Sequence, residues 1–187
     1  MTLIDRAKLR TNHGEVVRQL QDDPAYGRMR PQVTARLVKD VSVESSFVQY
    51  GRPFTFLGDE AAERGGQESG PSPMRYFLSG ISFCLIGWWA KGSAMLDVEL
   101  SSLAVTTRTF LDMRGEHGVP DVPVNPQWLV LEIEVESDAP AEGVLEVIDW
   151  GVRHCPLSAL VGRAIPVYDR VTLNGTVVRD TVPAEAA

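Results

Sequence analysis

The chain has 187 residues, 44% of them hydrophobic and 23% charged, which is the composition of one folded domain with at most an added arm and excludes a disordered polymer. Eighteen basic against 25 acidic residues leave a formal charge of −7 and a pI near 5.0, the wrong sign for a protein whose main partner is nucleic acid or an anionic membrane surface. Two cysteines are too few for a disulfide scaffold or a four-cysteine zinc site.

Residues 1–30 are polar and helix-compatible, with Leu9, Val16, Val17 and Leu20 loosely periodic and Asp23-Pro24 as a stop. They lack the apolar run of a secretory signal, so a cytoplasmic protein with reduced thiols is expected. This arm is too polar to form a core and is expected to pack on the body, residues 31–187, or on a second subunit. From Gln32 the period changes to two, with Val33, Ala35, Leu37, Val41, Val43 and Phe47 on one parity, which predicts extended chain with one face buried. Tyr50-Gly51-Arg52-Pro53 is a turn, Phe54 and Phe56 mark a short strand, and Gly58 to Pro73 is a loop punctuated by glycine and proline.

Ser72 or Pro73 opens an apolar helix that is expected to end at Lys91-Gly92. Its charge-free stretch, Tyr76 to Ala90, falls short of the roughly 20 residues that cross a bilayer. Met95 to Met113 reads as strand with an irregularity at Ser101-Ser102, and His117 to Pro126 as a proline-rich loop. Trp128 to Glu136 alternates Leu129, Leu131, Ile133 and Val135 with glutamates, so it is a strand with one wet side. A second helix starts near Pro140, carries Val144, Val147, Ile148 and Gly151 on one stripe, and stops before Cys155-Pro156. After a short helical turn, Asn174-Gly175 joins two strands as a hairpin. Helices interrupt the strands without strict βαβ alternation, which favours an α+β fold with antiparallel sheets.

No histidine has metal-ligand spacing, and no phosphate-binding glycine loop or GxSxG elbow occurs, so neither a metal nor a bound cofactor is expected. The remaining constellation is the two cysteines. At about 100° per residue, Phe77, Gly80, Ile81, Trp88 and Lys91 share the face of Cys84. Taken alone, that setting suits a buried structural thiol. Cys155 precedes proline, which places it at the N-cap of a helical turn where free N–H groups would stabilise a thiolate; a partly buried loop cysteine is the other reading.

The segment Gly58 to Cys84, GDEAAERGGQESGPSPMRYFLSGISFC, resembles the OsmC-like family of osmotically induced and organic-hydroperoxide-resistance proteins: a Gly-Gly loop, a G-P-x-P helix start, and a cysteine eleven residues after the second proline. The run His154-Cys155-Pro156-Leu157-Ser158 followed by Val161-Gly162-Arg163-Ala164 is similar to the family's second-cysteine segment. The resemblance implies an OsmC-like fold, antiparallel sheets packed around long central helices in an intertwined homodimer with its sites at the subunit interface. It implies that Cys84 attacks an organic hydroperoxide, that Cys155 resolves the sulfenic acid, and that an external dithiol or lipoyl-bearing protein reduces the disulfide. Phe77, Ile81 and Trp88 would line an apolar substrate pocket.

Family peroxidases also use an arginine held by a glutamate, and the glutamate's slots after the second proline here hold Met74 and Arg75. Arg75 lies about 180° around the helix from Cys84, leaving Arg64 or Arg52 to supply the cation and Glu60, Glu63 or Glu68 the acid. That departure, with the bulky Trp88 and Trp89, motivates a rival reading: a small-molecule-binding or interaction protein on the same fold with inert cysteines. A third reading is a thiol-disulfide or persulfide-handling protein.

Overall fold

The computed structural model describes residues 2–187, which fall into two compact units: residues up to 17 with 80–187, and residues 18–79. In the smaller unit, β1 (Thr34–Lys39), β2 (Ser42–Gln49) and β3 (Arg52–Gly58) form an antiparallel sheet in that order. The extended run is thus a hairpin, broken at Asp40, which adopts the left-handed conformation with φ 51°. Leu37 pairs with Val43, so the odd-numbered apolar residues keep one face through the turn. Phe47 continues that face, stacking on Phe54 and Phe56 at 5.5 and 5.7 Å. The face expected to be buried stays open in the single chain, with Leu37, Phe54 and Phe56 all exposed.

The loop after β3 is built around one carboxylate. Asp59, only 1% exposed, accepts hydrogen bonds from the backbone N–H groups of Glu60, Gln67 and Ser69 and from the Ser69 hydroxyl. These donors hold its carboxyl well below the usual carboxylate range. Gly66 lies against Glu60, whose carbonyl oxygen would be 1.9 Å from any Cβ, so the second glycine of Gly65-Gly66 is there for space.

Helix α2 (Pro73–Leu96) belongs to both units. It passes the expected stop at Lys91-Gly92 and ends four residues later at Leu96, followed by Asp97 with φ 58°. Gly92 serves packing instead of capping: a Cβ there would sit 3.0 Å from the Trp150 ring and 3.3 Å from the Val147 carbonyl of helix α4 (Ala141–His154). Gly151 mirrors it, since its Cβ would fall 2.2 Å from the Trp89 ring. Fully buried Trp89 donates its indole N–H to the Ile148 carbonyl at 3.0 Å, so the crossing is both close-packed and satisfied.

The remaining elements of the larger unit are β4 (Ser102–Thr109), α3 (Met113–Glu116), β5 (Leu129–Glu136), α5 (Pro156–Val161), β6 (Val167–Leu173) and β7 (Thr176–Asp180). Strand begins only at Ser102, where the sequence suggested an irregularity, because α2 and its turn occupy 95–100. The sheet order is β4-β5-β6-β7, antiparallel except for the parallel pair β5 and β6, which the α4–α5 crossover connects. The fold is α+β, as expected. Leu129, Leu131, Ile133 and Val135 of β5 are buried, as are Ile81, Leu85 and Trp89 of α2 and Val144, Val147 and Ile148 of α4. The Asn174-Gly175 hairpin forms, both residues at positive φ. Helix α1 (Arg6–Asp22) buries no residue but is tethered at its start: Arg6 and Arg10 both reach Asp97 at 2.9 Å, and Arg10 donates to the Ala94 carbonyl. No described helix is long and apolar enough to cross a membrane.

Candidate functional site

Cys84 projects from the middle of α2 and is half-buried, while Cys155 caps α5 and is 1% exposed. Although far apart in the chain, the two thiols lie within hydrogen-bonding reach of each other, and both are reduced. Proline at the first position of α5 holds Cys155 in extended conformation, and its Sγ accepts the Ser158 N–H at 3.3 Å. The N-cap geometry read from the sequence is therefore present, but its electrostatic consequence is reversed. Burial pushes the Cys155 thiol up to about 11, the neighbouring Cys84 sulfur adds to this, and the Ser158 N–H offsets only part of it. Both burial and the Cys84 thiol therefore favour the neutral form of Cys155. The α5 amides of Ser158 and Leu157 do not replace the water that a thiolate would lose in a closed site.

The other residues singled out from the sequence divide between the units. Ile81 is 1% exposed and belongs to the core on the Cys84 side of α2. Trp88, one turn after Cys84, joins an aromatic group with Trp150 and His154 at ring separations of 5.8 and 5.6 Å. Phe77 lies on the part of α2 assigned to the smaller unit and is exposed, as is Arg75. Arg64 sits in a short 3-10 turn of the smaller unit, where its Nε meets Glu60 at 2.6 Å. Among the described residues no group of three or more His, Cys, Asp or Glu could hold a metal ion.

A profile of the OsmC-like protein family matches residues 66–168, more than half of the chain and both cysteines. The chain belongs to the OsmC-like family. No curated protein sequence matches it significantly. Among solved structures, an OsmC-like protein from Mycoplasma pneumoniae is similar with a TM-score of 0.63 at 17% identity, over 78% of this chain and 97% of that one. An organic hydroperoxide resistance protein from Elizabethkingia anophelis gives 0.59 at 16% identity, covering 79% and 99%. A Legionella pneumophila protein described as an organic hydroperoxide resistance protein OsmC gives 0.58 at 14%, covering 78% and 99%. At such identities the likeness establishes the OsmC-like fold.

Within this OsmC-like chain, the sequence placed Ser158 in the turn capped by Cys155 but pointed to no partner of Trp88. The C-P-x-S spacing was the available signal for Ser158, since the residue three after an N-cap supplies the N–H that the cap accepts. Nothing local pointed to Trp150 and His154, which meet Trp88 only through the crossing of α2 and α4.

Proposed function

We propose that this OsmC-like protein reduces organic hydroperoxides through Cys84 and Cys155. The observation that carries the reading is that Cys84 on α2 and Cys155 at the N-cap of α5 come within hydrogen-bonding reach of each other. The Cys84 thiolate attacks the distal oxygen of ROOH, the O–O bond breaks, and the alkoxide takes a proton and leaves as ROH. Cys84 is then a sulfenic acid. Cys155 sulfur attacks that sulfur, the S–O bond breaks, and water leaves carrying the Cys155 proton, so the two thiols have supplied the two electrons. An external dithiol, of lipoyl type or otherwise, regenerates both thiols and itself becomes a disulfide. Arg64 pairs with Glu60, an arginine–glutamate pair of the kind that the family resemblance leads one to expect.

The functional particle in this reading is a homodimer. Phe83 on α2 is 74% exposed and Leu160 on α5 64%, and Phe54 and Phe56 of the open sheet are exposed as well, apolar area that a second copy would cover.

Adding cumene hydroperoxide to the reduced protein should consume one peroxide per chain, with loss of both thiols and release of cumyl alcohol. A Cys84→Ser variant that consumes peroxide as fast as the parent would overturn the reading. Met74 and Arg75, standing where family peroxidases carry a glutamate, favour one rival: a small-molecule-binding protein with inert cysteines, for which both thiols survive the peroxide.

A further inference from the structure

We propose that the cavity between α4, α5 and the β6–β7 hairpin binds a small organic cation, an ammonium group on an apolar body, at a site separate from the thiols. The cavity has a volume of about 570 Å³ and lies wholly within the larger unit. Leu131 of β5, Val152 of α4, Ala159 of α5 and Val167 of β6 give it aliphatic walls. Space of this size, mostly apolar with a few polar groups, is what small-molecule sites consist of. Ser158 lines it as well. That residue is only 6% exposed, and among the described residues its hydroxyl has no hydrogen-bond partner, although its N–H meets Cys155 Sγ. A largely buried hydroxyl left without a partner is costly, and a polar ligand atom in the cavity satisfies it.

The charged groups on one wall set the ligand class. Arg179 of β7 donates from Nη1 to Asp149 of α4 at 2.7 Å and from Nη2 to Asp169 of β6 at 2.5 Å, and all three residues line the cavity. Two carboxylates against one guanidinium leave that wall with one negative charge. The two acids are not equivalent. Asp169 is mostly buried and also accepts the Thr181 hydroxyl at Oδ1, so both of its oxygens are engaged. Asp149 is half-exposed, Arg179 meets its Oδ1, and among the described residues no hydrogen bond reaches its Oδ2. An ammonium entering the cavity gains a charge-assisted hydrogen bond from that free oxygen while its body covers the aliphatic walls. An anion finds no such place, because both Nη groups of Arg179 already face carboxylates and its Nε is enclosed. Cys155 caps α5 but does not line the cavity, so the site stands whether or not the thiols react with peroxide.

The test is titration calorimetry at low salt on the reduced protein with three probes of similar size: 2-phenylethylamine, 2-phenylethanol and phenylacetate. The amine should bind on the order of tenfold more tightly than the alcohol, the size of one charge-assisted bond, and phenylacetate most weakly. Added salt should lower the amine's advantage, a reading that does not depend on any variant folding. That advantage should fall toward one in Asp149→Asn. Ala159→Leu, which fills the cavity from an exposed position of α5, should abolish binding of amine and alcohol alike. Equal affinity for amine and alcohol, tighter binding of phenylacetate, or an advantage unchanged in Asp149→Asn overturns the cationic ligand. No binding of any probe up to millimolar concentration overturns the site, as does amine binding that survives Ala159→Leu.

Discussion

Two neighbouring thiols cannot both ionise cheaply, and the division of labour proposed for Cys84 and Cys155 follows from where each sits. Cys155 is sealed beneath α5 and held up near 11, whereas Cys84 faces the partly open side of α2. A thiol whose folded value lies above its unfolded value of about 9 favours the folded state while protonated; that contribution is complete below pH 9 and lost as pH rises through 11. The difference in unfolding free energy between the parent and Cys155→Ala should therefore shrink between pH 9 and 11 by on the order of 2–3 kcal/mol, read from denaturant melts. A flat difference across that window would show that Cys155 is not held in its neutral form. Cys155→Ser should still react once with peroxide, but the Cys84 sulfenic acid, lacking its trap, should go on to sulfinic acid, a gain of two oxygen atoms by mass spectrometry. Asp59 has the opposite sign. Its carboxyl is held low, so the loop it organises is secure above the ordinary carboxylate range and loosens as pH falls through the lowered value. Asp59→Asn leaves at least one of the four donors facing an amide NH2 and removes the charge the others meet, and faster proteolytic nicking between Glu60 and Ser69 is the expected result.

Among the elements, the crossing of α2 and α4 decides the most, because it sets where the α2 thiol meets the chain that follows α4. Glycines 92 and 151 let the helices approach until Trp150 lies over one and Trp89 over the other. A methyl group at Gly151 runs into the rigid, fully buried Trp89 indole, so Gly151→Ala should cost about 1–3 kcal/mol and lower the melting temperature by several degrees. The same variant should slow disulfide formation more than peroxide attack, since only the former needs α5 in register with α2. Read as sequence, Lys91-Gly92 looks like a helix end, and a glycine after a cation supports that reading. The helix continues because tertiary packing outweighs the roughly 1 kcal/mol that an interior glycine costs. The parallel pairing of β5 with β6 has a similar origin: α4 and α5 form a crossover long enough to bring the chain back in the same direction.

At the scale of the molecule, apolar surface left open on the β1–β3 sheet, on α2 at Phe83 and on α5 at Leu160 argues for association. Sedimentation should give twice the 20.6 kDa chain mass, and Phe83→Glu should shift it toward the monomer while far-ultraviolet dichroism is kept. A chain that sediments as a monomer at micromolar concentration would remove the homodimer from the reading. The amino-acid sequence determined by itself whatever depends on neighbours along the chain. The Asn174-Gly175 hairpin, the alternation of β5, the Pro73 helix start, and the proline that places Cys155 at an N-cap all follow from local backbone preferences. Spacing also carried the two cysteines, through their resemblance to a known pair of motifs. Only the tertiary structure decided that the two thiols come within hydrogen-bonding reach, that burial raises the Cys155 thiol, that Gly92 lies inside a helix, and that Trp88 meets His154. Each of these depends on desolvation or contact between groups distant in the chain, and no run of adjacent residues encodes such a distance.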